Sequence, residues 1–108
     1  MQAILEKENK DVTMAQSVIE LISKLDNADV KTKNSIENVL VDIGKNAVPE
    51  LVHQLQVVRG SIRGVVAMTL IRIGDDSVDC LKKAALENKD FEWVASYLIN
   101  EIKCSKVA

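Results

Sequence analysis

His53 is the one histidine of this 108-residue chain, and Glu50 and Gln54 stand three positions before it and one position after it. On a helix those three side chains share a surface, so an imidazole, a carboxylate and an amide could meet as a general base or as part of a metal site. Cys80 lies thirty positions beyond Glu50 and would extend the group by a thiol. A zinc-type centre needs several converging nitrogen and sulfur ligands. This group reaches two or three, and no HExxH, CxxC or nucleophile-and-base spacing stands behind it. We therefore read His53 as a surface histidine and assign no catalytic residue, no metal and no cofactor.

Two other stretches invite a chemical reading. Gly60 and Gly64 in RGSIRG look like a phosphate-cradling loop, but no strand precedes them, so a helix-to-helix turn is the simpler reading. Lys31, Lys33, Arg59 and Arg63 fall at successive turns and could form a basic edge that touches phosphates. The next turn carries Glu87, Asp90 and Glu92, so the edge changes sign, and a net charge of −2 adds no general attraction for nucleic acid. Cys80 and Cys104 are the only cysteines, and in a reducing compartment they are simplest as free thiols.

The elements that would position these residues follow from a repeat. LVDIGKNAVPELVHQL at 40–55 returns as LIRIGDDSVDCLKKAA at 70–85. The thirty-residue offset aligns Val18, Val48 and Val78; Leu21, Leu51 and Leu81; Ile22 and Val52; and Leu25, Leu55 and Ala85. Within each segment these positions run i, i+3, i+4, i+7, the stripe of an amphipathic helix. A second series alternates with the first: Ile36, Val66 and Ala95; Leu40, Leu70 and Ile99; Ile43, Ile73 and Ile102.

Gly44 and Gly74 are placed to end helices at positive φ, and Lys103 holds the equivalent place in the last, which is free to run on. Asn46 and Asp76 are expected to cap the helices that follow, and Pro49 suits a first turn. The pattern predicts helices near 12–25, 31–43, 47–58, 61–73, 77–87 and 91–104, with a short one at 2–8, and no strand. One helix pair cannot bury its own stripe, so the pairs must stack in a single all-α domain over 1–108.

ADVKTKNSIENVLVDIGKNAVPEL and GSIRGVVAMTLIRIGDDSVDCL resemble the HEAT repeat, in particular its short PBS-lyase-like form. The family pattern has an apolar residue and an arginine twelve positions before the glycine. Ile62 and Arg63 fit it, Thr32 and Lys33 hold that register one unit earlier with Val30 and Lys31 as a rival match, and Phe91 is followed by Glu92 in the last unit. The resemblance implies a right-handed α-α superhelix of about three and a half helix hairpins, an armadillo-like scaffold, with its second helices lining a concave groove. Glu20, Ser23, Lys24 and Asn27, then Glu50, His53, Gln54 and Val57, then Cys80, Lys83, Ala84 and Glu87 are the rows that would line it.

Those rows are mixed in sign, which suits a protein partner rather than a phosphate-tracking one. The function expected is a non-catalytic protein-interaction or scaffold module binding through Lys24, Glu50, His53, Gln54, Lys83 and Glu87. Trp93 and Tyr97, which with Phe91 are all the aromatic residues, form a second candidate surface that could cap the stack or contact a partner. The N-terminal end, with Ile4 and Leu5 as its apolar cover, would suit pairing with another copy, a homodimer through the ends of the stack. The alternatives are an accessory subunit of a bilin lyase-like enzyme, since the same short repeats occur in such subunits, and a nucleic-acid-binding HEAT-like protein. No apolar run reaches the roughly 18 residues that span a bilayer, and MQAILEKENKD is too charged for a signal peptide, so a cytoplasmic location without a membrane partner is expected.

Overall fold

The repeated columns become the interior. The computed structural model describes residues 15–107, and within them every regular element is helical. Helix α1 covers 15–23 of these residues. It is followed by α2 (Val30–Ile43), a 3-10 turn (Gly44–Ala47), α3 (Val48–Leu55), α4 (Gly60–Ile73), a second 3-10 turn (Gly74–Ser77), α5 (Val78–Glu87), a third (Lys89–Phe91) and α6 (Glu92–Val107). The short helix expected at 2–8, the start of the first long helix and the cover from Ile4 and Leu5 lie outside the described residues.

Packing follows the alternation of the two apolar series. Helix α2 lies against α4 and α4 against α6, forming one layer, while α3 lies against α5 in the other; α4 and α6 each also contact the second-layer helix before them. Between the layers Val18, Leu25, Leu40, Val48, Leu51, Leu55, Val66, Leu70 and Leu81 are sealed from solvent. Each fully buried leucine or valine contributes roughly 1.5–3 kcal/mol of transfer free energy. Leu21, Ile43, Ile73, Val78 and Ala85 pack against this core while only partly buried.

In α6 the fully buried residues are Phe91 at its entry, Ala95, Leu98 and Ile102. Ile99, which the columns placed inward beside Leu40 and Leu70, is only partly buried, and Leu98 takes its place. One residue is missing from the turn before α6 relative to the unit before it, and the helix has rotated to bring Leu98 to the core.

The helix ends divide into expected and unexpected. Gly44 (φ 71°, ψ −138°) and Gly74 (φ 85°, ψ −135°) close α2 and α4, each donating its N–H to the carbonyl four residues back. No heavy atom lies within 4 Å of where a Cβ would stand at either, so the backbone conformation and not crowding calls for glycine. Asn46 and Asp76, in contrast, do not cap. The chain passes from each glycine through a 3-10 turn straight into the next helix, the residue before that helix (Ala47 or Ser77) is already right-handed helical, and no side-chain cap bond forms at either junction. A continuous turn supplies i→i+3 bonds where a cap would otherwise be needed.

Ser77 uses its hydroxyl differently. Wholly buried, it donates to the Leu70 carbonyl at 2.8 Å, bracing the second corner against the helix it has just left. The one side-chain cap at the head of an α-helix with a described bond is Asp29, whose carboxylate accepts from the Thr32 amide at 2.8 Å. That bond holds the Asp29 carboxyl below the ordinary carboxylate range. Across the first layer, the Arg72 guanidinium donates to Glu37 at 2.7 Å and to Asn38 at 2.9 Å, tying α4 to α2.

Candidate functional site

The clearest concavity between elements of the repeat runs between α3 and α5. Val52 and the buried Ala84 form its floor, Pro49 and Cys80 its N-terminal end, and His53 and Gln56 face Lys83 and Glu87 across it. These walls arise from the thirty-residue register: stacking α3 on α5 sets residues one period apart side by side and leaves the polar flank of each stripe at the mouth. At the C-terminal end of the groove the Asn88 amide donates to the Gln56 side chain at 3.1 Å, fastening the two helices at that point.

Of the residues expected to act here, His53, Lys83 and Glu87 are brought together and exposed. Glu50 and Gln54 are not in the groove wall. They are half-buried one turn round α3, where the Gln54 amide donates to the Glu50 carboxylate at 3.0 Å and each satisfies the other. Lys24 is exposed in the turn after α1, which ends at residue 23, two short of its expected limit. Ala84, placed in the polar row by its register, is buried because α5 is rotated to present it to the core in place of a larger residue.

Gln56 and Asn88 were missed. Both sit at helix ends, where the apolar period stops and no longer indicates direction; α3 ends at Leu55, and residues 56–58 continue as a looser turn bonded to His53 and Gln54. No group of three or more His, Cys, Asp or Glu side chains among the described residues is arranged to hold a metal ion. Cys80 is a partly buried free thiol at the groove and Cys104 an exposed one on α6.

The groove can offer an imidazole, an amide, an ammonium and a carboxylate above an apolar floor. Lys83 precedes Glu87 by one turn, the weaker orientation of an i, i+4 pair, which leaves both groups available to a ligand. Such a surface recognises mixed polar and apolar chemistry rather than a single charge. The basic residues at the loops stay apart from it: Lys31, Arg59 and Arg63 are exposed, and Arg59 stands in extended backbone at the head of α4.

The three aromatic residues separate by role. Phe91 is buried and closes the core, whereas Trp93 is 86% exposed and Tyr97 61% exposed, so neither of these two caps the stack. A further hollow lies between α5 and α6, where Ala85, Ala95 and Ile99 stand in the registers held by Leu55, Val66 and Leu70 one unit earlier. No helix among the described residues is long and apolar enough to cross a membrane. No family model, curated protein or solved structure matches the chain.

Proposed function

We propose that this chain is a right-handed HEAT-like solenoid of about three and a half units, acting as a non-catalytic module that holds a segment of a partner protein in the groove between α3 and α5. The layering supports the solenoid: first helices stack on first helices, second on second, in the order of the sequence. The functional reading rests on one observation, the convergence of His53, Gln56, Lys83 and Glu87 over the floor of Val52 and Ala84. Donors and acceptors of both signs beside an apolar strip match the chemistry of a polypeptide, which presents amides, carbonyls and side chains together. A phosphate backbone would call for a stripe of one sign.

The test is affinity capture with quantitative mass spectrometry, comparing the natural chain with a His53→Asp, Lys83→Asp double variant and with Lys45→Asp, a charge change outside the groove. Partners of the groove should be lost from the double variant and retained by Lys45→Asp. Identical capture by all three would refute the reading.

A further inference from the structure

Helix α6 carries two stripes where a helix packed on one side needs one. The inner stripe is the buried Phe91, Ala95, Leu98 and Ile102. The outer is Trp93, Tyr97, Asn100 and Cys104, all exposed, at the 4-3-4 spacing of a coiled-coil seam. The outer stripe is not a feature of the repeat. Its first two positions are Asn34 and Asn38 in α2, Gly64 and Met68 in α4, and Trp93 and Tyr97 in α6, so apolar surface accumulates only towards the last helix.

We propose that this face binds the same face of a second copy, with the two α6 helices antiparallel about a two-fold axis. The spacing is what selects the partner. Inverting the stripe about its midpoint sets Trp93 against Cys104 of the second copy and Tyr97 against its Asn100, twice over. Each large ring meets a small or hydrogen-bonding side chain, and the phenol hydroxyl has an amide to pair with. The flanking positions bring Ser96 towards Lys103 and Val94 towards Glu101, so no like charges oppose one another, and antiparallel helix dipoles favour the arrangement. A parallel pairing would stack Trp93 on Trp93 and Tyr97 on Tyr97.

The two rings expose roughly 300 Å² per copy, well below the about 800 Å² per partner of a stable complex. The dimer is therefore weak and concentration-dependent. It closes on itself, since a two-fold contact uses the same patch on both sides. The surface is separate from the α3–α5 groove, so the two readings stand or fall independently.

Trp93 is the chain's only tryptophan, which makes its emission a direct reporter of this contact. Sedimentation velocity and fluorescence should be followed together over a series from micromolar to millimolar protein. The expected result is a monomer–dimer equilibrium with emission moving to shorter wavelength as dimer forms. Tyr97→Asp should weaken association by about tenfold or more while leaving the far-ultraviolet circular dichroism unchanged, and His53→Asp, Lys83→Asp should dimerise like the natural chain. A monomer at every concentration would overturn the proposal, as would a dimer in which Trp93 still emits as a solvated indole. The orientation has its own check. In the antiparallel pair the two Cys104 thiols are about 16 Å apart along the axis, so rapid formation of a Cys104–Cys104 disulfide in the dimer under mild oxidation would also overturn it.

Discussion

Ser77 and Ala47 occupy the same corner one period apart, both without solvent exposure, and differ by a hydroxyl. The hydroxyl of Ser77 gives the Leu70 carbonyl a second donor beside the Gly74 amide. At the other corner the Leu40 carbonyl has the Gly44 amide alone from this turn. Ser77→Ala should therefore cost about 1 kcal/mol, the usual net worth of a buried hydrogen bond, because the carbonyl keeps one partner and the cavity left is small. Ala47→Ser, which can make the same bond in the other corner, should fall within about 0.5 kcal/mol of the natural chain. Urea denaturation of the two variants checks both values, and a loss at Ala47→Ser as large as at Ser77→Ala would show that the corners are not equivalent. At this scale the sequence was least legible. Its period marked Ala47 and Ser77 as a column but could not tell a buried hydroxyl from a cap, so the capping role fell to Asn46 and Asp76, one residue too early.

At the scale of the element, each hairpin corner is a glycine followed by a 3-10 turn. The backbone at Gly74, with φ 85° and ψ −135°, is a region closed to residues bearing a Cβ, and nothing crowds the site. Gly74→Ala should consequently lower stability by roughly 1–3 kcal/mol through strain alone, read from the thermal midpoint and ellipticity of the variant. The matching substitution at Gly64, inside α4 with no positive φ and open space around its Cβ position, should instead stabilise by about 0.5–1 kcal/mol. Helix positions were readable because glycine spacing and apolar stripes both report backbone geometry. The head of α2 was not. Asp29 caps it one residue ahead of the expected start, and Val30, offered as a rival inward residue, is 72% exposed. Polar first turns carry no stripe from which direction can be taken.

At the scale of the whole molecule, the core is one continuous cluster from Val18 to Ile102. Leu51 sits near its middle, sealed from solvent, on the helix that packs against both α4 and α5. Leu51→Ala should cost about 2–5 kcal/mol, and because the cluster is shared between layers, fluorescence of Trp93 and circular dichroism should lose structure at one denaturant concentration. Separate transitions would mean that the ends melt apart from the centre. The all-helical fold and most of this seam were legible, since inward positions recur every thirty residues. The groove was legible in His53, Lys83 and Glu87 and opaque in Gln56, Asn88 and Ala84, whose placement depends on where helices stop and how far they turn. The outer stripe on α6 escaped the columns for a related reason: it repeats nothing.

The junctions before α2 and α4 are built alike. Asp29 and Arg59 both stand in extended backbone, with ψ of 173° and 170°, immediately ahead of a fourteen-residue helix that ends at a glycine of similar φ and ψ. A gene cut at these two points would release a cassette whose ends match their neighbours. Duplicating the codons for residues 30–59 would let evolution, or an engineer, lengthen the protein in steps of one hairpin without inventing a new join.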